Sequence, residues 1–197
     1  MKIAIIKYNA GNIFSVENAL KRIGREAVVT DNPDVIRAAD KVIFPGVGEA
    51  GTTMKYLRER GLDKLICSLR QPTLGICIGL QLMCKHSEEG NTECLGIFDE
   101  SVKRFQSKNY KVPHMGWNTV QHKGSPLFAE LEKEPYVYYV HSYFAEVGAH
   151  TIAATDYAQT FSAALHKDNF YAVQFHPEKS AWVGEQILKN FLCLPNV

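Results

Sequence analysis

The chain reads as an α/β protein, a three-layer sandwich around a mixed, largely parallel sheet with an additional antiparallel portion. Three observations carry that expectation. Short apolar runs alternate with amphipathic stretches through the first half, as in strands joined by crossover helices. The second half turns to closely spaced strand patterns parted by Gly, Pro, Asp or Asn, which suits antiparallel pairing. The 197 residues, 46% hydrophobic, suffice for one sizeable core, and no linker, repeat or low-complexity segment divides them, so residues 1–197 read as a single domain.

Taken in order, Lys2 to Tyr8 reads as a buried strand. Asn12 to Ile23 has helical spacing, with Ile13, Val16, Leu20 and Ile23 on one face, and Gly24 stops it. Ala27 to Thr30 and Lys41 to Phe44 are short strands, the second ending in Pro45-Gly46-Val47-Gly48. Thr52 to Arg70 reads as helix with a break near Gly61. Pro72 to Cys77 is the next strand and Ile78 to His86 the next helix. Leu95 to Phe105, Gly116 to Gln121, Tyr136 to Val147, Thr151 to Thr155, Ser162 to Lys167 and Phe170 to Phe175 read as strands. Ala181 to Leu192 closes the chain as an amphipathic helix.

Charge and cysteine usage exclude several classes. Twenty-two Lys+Arg against 21 Asp+Glu give a net charge of +1 with no basic run, so a nucleic-acid partner is not expected. The five cysteines, Cys67, Cys77, Cys84, Cys94 and Cys193, form no C-x-x-C pair. Neither a disulfide framework nor a metal site is suggested, and a reducing cytoplasm fits best. No signal-peptide pattern opens the chain, and no stretch is apolar enough to suggest a membrane span.

Gly75-Ile76-Cys77-Ile78-Gly79 lies where an apolar strand pattern passes into a helical one. That is the context of a nucleophile elbow, with the nucleophile at a strained corner and small residues two before and two after. Here the nucleophile is a thiol, and the helix N-terminus behind it favours the thiolate. Most cysteines are simply small buried hydrophobes, which is the reading for the other four; the flanking glycines set Cys77 apart. A thiol needs a base. His176 ends an apolar strand in Val173-Gln174-Phe175-His176-Pro177-Glu178, where parallel sheets place their chemistry. If the backbone stays extended through Pro177, Glu178 projects to the same side and can hold the imidazole. Cys77, His176 and Glu178 thus form a candidate triad.

Gly46-Val47-Gly48-Glu49-Ala50-Gly51 matches a dinucleotide fingerprint, but it does not follow the first strand, Pro45 precedes it, and no acidic residue caps a strand further on. The alternative is a loop presenting backbone N–H groups. Val47 and Ile78 would then be the two oxyanion donors, with Gly46 and Gly48 giving the loop its freedom to approach or flip.

The elbow Gly75-Ile76-Cys77-Ile78-Gly79-Leu80-Gln81 and the base segment Phe175-His176-Pro177-Glu178 resemble those of the triad-type, class I glutamine amidotransferases. Pro45-Gly46-Val47-Gly48, Pro113-His114-Met115-Gly116-Trp117-Asn118, Tyr139-Val140-His141-Ser142-Tyr143 and Lys179-Ser180 narrow the resemblance to the glutaminase subunits of imidazole glycerol phosphate synthases. The chain departs from that pattern at Lys7-Tyr8-Asn9-Ala10-Gly11-Asn12 and at Ile78 and Leu80 of the elbow.

The resemblance implies glutamine as substrate, a Cys77 glutamyl thioester, and no cofactor. It implies that Gly46, Gly48, Gln81, Ser142 and Tyr143 contact the glutamine. It further implies a heterodimer with a TIM-barrel cyclase that consumes the ammonia in histidine biosynthesis, with Asn12, Trp117, Tyr138, His141 and Lys179 at or near the partner face. The lone chain is then expected to be nearly idle, with the Gly46–Gly48 peptide as the switch. Two other readings remain open: the glutaminase of another synthase (anthranilate, aminobenzoate or pyridoxal phosphate), and a cysteine hydrolase of related fold.

Overall fold

The computed structural model describes residues 1–8 and 13–195. Strands and helices alternate first: β1 (Ile3–Ile6), α1 (Ile13–Arg22), β2 (Val28–Thr30), α2 (Pro33–Arg37), β3 (Lys41–Phe44), α3 (Ala50–Glu59), α4 (Leu62–Cys67), β4 (Thr73–Ile76) and α5 (Ile78–Met83). Strands then dominate: β5 (His86–Ser87), β6 (Thr92–Glu93), β7 (Ser101–Arg104), β8 (His114–Thr119), β9 (Gln121–His122), β10 (Tyr136–His141), β11 (Tyr143–Ala145), β12 (Thr151–Asp156), β13 (Thr160–Lys167) and β14 (Phe170–Val173), before α6 (Ala181–Cys193).

The main sheet has eight strands in the order β2-β1-β3-β4-β14-β13-β12-β9. The pairs from β2 to β14 are parallel, and those from β14 to β9 antiparallel. Alternation along each strand feeds two cores. Ile3, Ile5, Ile43, Leu74 and Ile76 pack with α1 and α6 on one face. Ala4, Ile6, Val42 and Phe44 pack with α2, α3, α4 and α5 on the other. Helices on both faces of a largely parallel sheet are the architecture expected from the sequence.

Several stretches differ from expectation, among them Tyr136 to Val147, which divides at Ser142 into β10 and β11. The helix after Cys77 ends at Met83, not His86, because Leu95, Gly96, Ile97 and Phe98 return to satisfy its terminal carbonyls: their N–H groups donate to Leu82, Cys84 and Met83 oxygens at 2.8–2.9 Å. Leu95 to Glu100 therefore does not extend the strand, which is confined to β7. The unexpected β5 and β6 complete a four-stranded sheet, β11-β7-β5-β6. Finally, α2 was not expected, although Asn32 caps it and Pro33 opens it.

The parallel register places the ends of β3, β4 and β14 side by side, with Phe44 opposite Gly75 and Ile76 opposite Val173. The elbow, the Pro45–Gly48 loop and the His176 segment each leave one of these three strand ends.

Candidate active site

Cys77 sits between β4 and α5 with φ 54° and ψ −106°. A side-chain-bearing residue in the left-handed region is strained, and here it holds the thiol at a corner. Its N–H is fixed by Val173 O at 2.8 Å, so the corner remains tied to β14. The two glycines have distinct neighbours. A Cβ on Gly75 would lie 2.9 Å from Met83 Sδ and 3.0 Å from the Gly79 carbonyl carbon. A Cβ on Gly79 would run into the carbonyl oxygen of Phe44 at the end of β3. The strand-to-helix unit itself fills the first space, and the end of β3 fills the second.

His176 Nδ1 donates to Glu178 Oε1 at 2.8 Å, and both side chains are 1% exposed. The backbone is not extended between them, as the sequence reading supposed. Pro177–Lys179 forms a 3-10 turn, closed by Lys179 N–H to His176 O at 3.0 Å and reinforced by Ser180 Oγ on the same oxygen at 2.7 Å. The turn, not strand geometry, brings the carboxylate onto the ring. Burial alone would lower the His176 pKa. The opposing charge of the Cys77 thiolate, with the hydrogen bonds and the Glu178 charge, outweighs it and raises the value to about 10.

Cys77 opens onto a cleft of about 300 Å³, whose walls include Val47, Gly48, Ile78 and Gln81, with Ser142 and Tyr143 opposite. Gly46 lies behind, its α-carbon closed in by Tyr8 and by Ile78, whose Cγ2 would be 2.5 Å from an added Cβ. The buried Tyr8 hydroxyl donates to Pro45 O, tying the loop to β1. Burial, and then the Cys77 charge, hold that phenol well above its ordinary pKa. Of the candidate oxyanion and substrate residues, Val47, Ile78, Gly48, Gln81, Ser142 and Tyr143 line the cleft with the thiol, and Gly46 does not.

Two polar residues at this site were not singled out in the sequence. Glu89 also lines the cleft; its Oε2 accepts the Ala50 N–H at 2.9 Å, and burial raises its pKa. It lies in the Glu88–Asn91 turn that the four-stranded sheet carries into the cleft, a long-range placement with no local motif. Gln174 is fully buried, with Nε2 3.7 Å from Cys77 Sγ. Its signal was a polar residue inside the apolar run Val173-Gln174-Phe175.

Trp117 and Tyr138 lie opposite each other across β8 and β10, their rings edge to face at 6.0 Å, with the Lys179 ammonium 5.9 Å from the Tyr138 ring. Trp117 is half exposed, beside the exposed Met115 and Tyr136. His141 does not share that surface. Its parity along β10 matches the buried Val137 and Tyr139, so it is buried and lines the cleft. Asn12 lies outside the described residues. Among the described residues no His, Cys, Asp and Glu group could hold a metal ion, and no helix is long and apolar enough to cross a membrane.

The family profile for glutamine amidotransferase class-I matches residues 4–194. The chain is 63% identical over 194 residues to the imidazole glycerol phosphate synthase subunit HisH of Bacteroides fragilis, covering 98% of this chain and 99% of that one. It is 61% identical over 196 residues to the protein of the same name from Bacteroides thetaiotaomicron, covering 98% and 100%. It is 45% identical over 197 residues to the HisH of Vibrio cholerae, covering 96% and 97%. Among solved structures, a glutamine amidotransferase superposes with a TM-score of 0.74 at 18% identity, covering 96% of each chain. The PurLQS structure from Thermotoga maritima gives 0.72 at 14%, covering 97% of each. At those identities the structures speak to the fold, while the sequence relatives speak to the family. The chain therefore belongs to the class I glutamine amidotransferases and, within them, to the HisH family of imidazole glycerol phosphate synthase subunits.

Proposed function

We propose that the chain, residues 1–197 acting as one domain, hydrolyses glutamine on Cys77 and hands the ammonia to a barrel-shaped cyclase subunit. The two would form a cytoplasmic heterodimer that makes imidazole glycerol phosphate and an aminoimidazole carboxamide ribonucleotide in histidine biosynthesis. The observation that carries this reading is the strained Cys77 beside a buried His176–Glu178 pair, at the floor of a cleft, in a chain of this family.

The chemistry follows from the geometry. A protonated His176 opposite the sulfur favours the thiolate, and Glu178 holds the ring with Nδ1–H turned away from it. The thiolate attacks the side-chain amide carbon of glutamine. Negative charge develops on the amide oxygen, where the N–H groups of Ile78 and Val47 serve as donors. His176 gives its proton to the leaving nitrogen, ammonia departs, and a glutamyl thioester remains. Water attacks the thioester as His176 takes its proton; the C–S bond breaks and glutamate leaves.

Substrate recognition divides along the cleft. Glu89 is a carboxylate suited to an α-ammonium, while Gly48, Ser142 and Tyr143 offer backbone and hydroxyl groups to the rest of the molecule, and Gly46, behind the cleft, acts through the loop it shares with Val47 and Gly48. Gln81 has its amide nitrogen engaged by Tyr143 O at 2.8 Å and Gln174 Oε1 at 3.1 Å, so it contributes by shaping the wall more than by donating to substrate. The aromatic surface of Trp117 and Tyr138 with Lys179 suits the cyclase, since aromatic residues carry interfaces disproportionately.

The test is synthesis by the reconstituted complex with Cys77→Ala. Glutamine-dependent formation of product is expected to vanish and ammonia-dependent formation to persist. Retained glutamine-dependent activity, or ammonia released by the purified chain at full rate without a cyclase, would overturn the reading.

A further inference from the structure

Behind the nucleophile runs a hydrogen-bond chain whose direction can be fixed from one end. Tyr143 O is a carbonyl oxygen and can only accept. It receives Gln81 Nε2 at 2.8 Å and His141 Nδ1 at 2.8 Å. The Gln81 atom at this point is therefore the amide nitrogen. Its other proton points to the terminal atom of Gln174 at 3.1 Å, which must be the oxygen. That leaves the Gln174 NH2 group as the one facing Cys77 Sγ, at 3.7 Å. The reverse orientation would set two NH2 groups against each other and an amide oxygen against the thiolate. On the other arm His141 Nδ1–H is committed to Tyr143 O, so its Nε2 accepts from His114 Nδ1 at 3.0 Å.

We propose that Gln174 is a further residue of the catalytic apparatus, an N–H donor to the Cys77 thiolate held in that orientation by Gln81 as a positioning residue. The inference rests on Cys77 being the nucleophile. Gln174 is fully buried, and its backbone N–H is fixed to Ala163 O at 2.9 Å, so its amide has no solvent to turn toward. A buried thiolate has few donors, and the described contacts of the sulfur otherwise include the Val140 carbonyl oxygen at 4.0 Å, which suits the thiol and not the anion. An amide donor on the side away from the cleft stabilises the anion while leaving the face toward glutamine clear. It also gives a use to a polar side chain placed in an apolar strand end, where an unpartnered amide would be costly.

Among the described residues, the titratable groups facing the sulfur or sharing its cleft are His176 with Glu178 behind it, Tyr8 from the end of β1, His141 from β10, Tyr143 from β11, and Glu89 from the turn between β5 and β6. Substitution of Gln174 replaces none of them, so in Gln174→Met, which adds no charge, a change in thiolate titration reports the amide itself. The experiment uses the complex with its cyclase and two variants. Gln174→Met removes the donor at similar length. Gln174→Glu keeps an acceptor for Gln81, and so the local packing, while placing an acceptor against the sulfur. Thiolate absorbance, taken as the difference from Cys77→Ala, is followed against pH together with kcat and KM for glutamine.

For Gln174→Met the thiolate midpoint is expected to rise by about one pH unit, with kcat down about tenfold and KM within about threefold. For Gln174→Glu the rise is expected to be larger. A midpoint unmoved in Gln174→Met, in a complex that Cys77→Ala inactivates, overturns the role of Gln174 alone, even if kcat falls. Glutamine-dependent activity surviving in Cys77→Ala overturns the nucleophile assignment beneath it. If Gln174→Met does not fold, Gln174→Leu, which also removes the donor without adding charge, decides the matter on the same midpoint.

Discussion

Tyr138 and His176 are joined through the backbone: the His176 N–H donates to Tyr138 O at 2.9 Å, while Tyr138 N–H donates to Ser180 Oγ at 2.9 Å. The strand that carries the outward ring of Tyr138 therefore also anchors both ends of the turn holding His176 and Glu178. A surface event on β10 has a direct backbone path, through the Tyr138 carbonyl, to the proposed catalytic base.

Trp117 opposes Tyr138 on the neighbouring strand and presents its indole outward. Truncation to alanine removes an exposed ring and leaves the β8–β10 ladder intact. Stability by urea unfolding is expected to stay within about 0.5 kcal/mol of the parent. Affinity for the cyclase, measured by titration calorimetry, is expected to fall at least tenfold, the size of a hot-spot residue. Unchanged affinity would remove Trp117 from the proposed partner face.

Glu178→Gln retains the shape of the pair and removes its charge. Glutamine-dependent kcat is expected to fall by a factor on the order of 10² to 10⁴, with KM changed little, because the lost interaction acts on the imidazolium in the transition state. In the parent, His176 is raised to about 10, so the protonated base persists at neutral pH and is lost only as pH rises through that value. Losing the Glu178 hydrogen bond and charge removes part of what raises it. The alkaline limb of the pH–activity profile is expected to move to lower pH. A limb that stays in place would separate Glu178 from the titration of His176.

The alternation of β1 to α5, apart from the five-residue α2, was readable because each strand is an apolar run bounded by its own turn, and each longer amphipathic face shows a helical period. The placement of Cys77, His176 and Glu178 was readable for a related reason: these residues lie at strand ends marked by Gly75, Gly79 and Pro177. The region from Cys84 to Glu100 was not. Its conformation is dictated by distant partners: His86 pairs with Ser101 and Leu95 N–H returns to Leu82 O. No local period encodes such pairings. The same holds for Glu89, brought to the cleft by that small sheet, and for His141, where one residue of strand parity separates a surface side chain from a cleft-lining one.

Acid stability carries a second pH signature. Burial lowers the pKa of His114 to about 4 and, with opposition from the Tyr143 carbonyl and help from neighbouring histidines, that of His141 to about 3. Both rings are neutral in the native state, each bonded as described, and His114 is stacked on Tyr139 and Tyr157. The unfolded chain protonates such histidines near 6.5, so below that pH it binds more protons than the folded chain. Their contribution to stability is complete above about 6.5 and declines toward pH 3–4. Urea unfolding is expected to show a loss on the order of 2 kcal/mol or more between pH 7 and 5. A flat profile over that interval would show that the pair is not held neutral.

The two elbow glycines are expected to differ in what they tolerate. At Gly79 an added methyl meets the Phe44 carbonyl oxygen, part of a buried strand end paired with β4 through Phe44 and Gly75. Backbone there can yield only by breaking the register that sets the Pro45–Gly48 loop beside Cys77. At Gly75 the tightest neighbour is Met83 Sδ at 2.9 Å, the end of a flexible side chain, with the Gly79 backbone just beyond at 3.0 and 3.1 Å. Gly75→Ala is expected to cost about 1–3 kcal/mol, the usual range for overpacking, and Gly79→Ala more than about 3 kcal/mol or an insoluble product. Urea unfolding of the two variants in parallel checks the order. Equal costs would mean that β3 and α5 can separate without loss, and that the close approach of Phe44 to the elbow is not what positions the oxyanion loop.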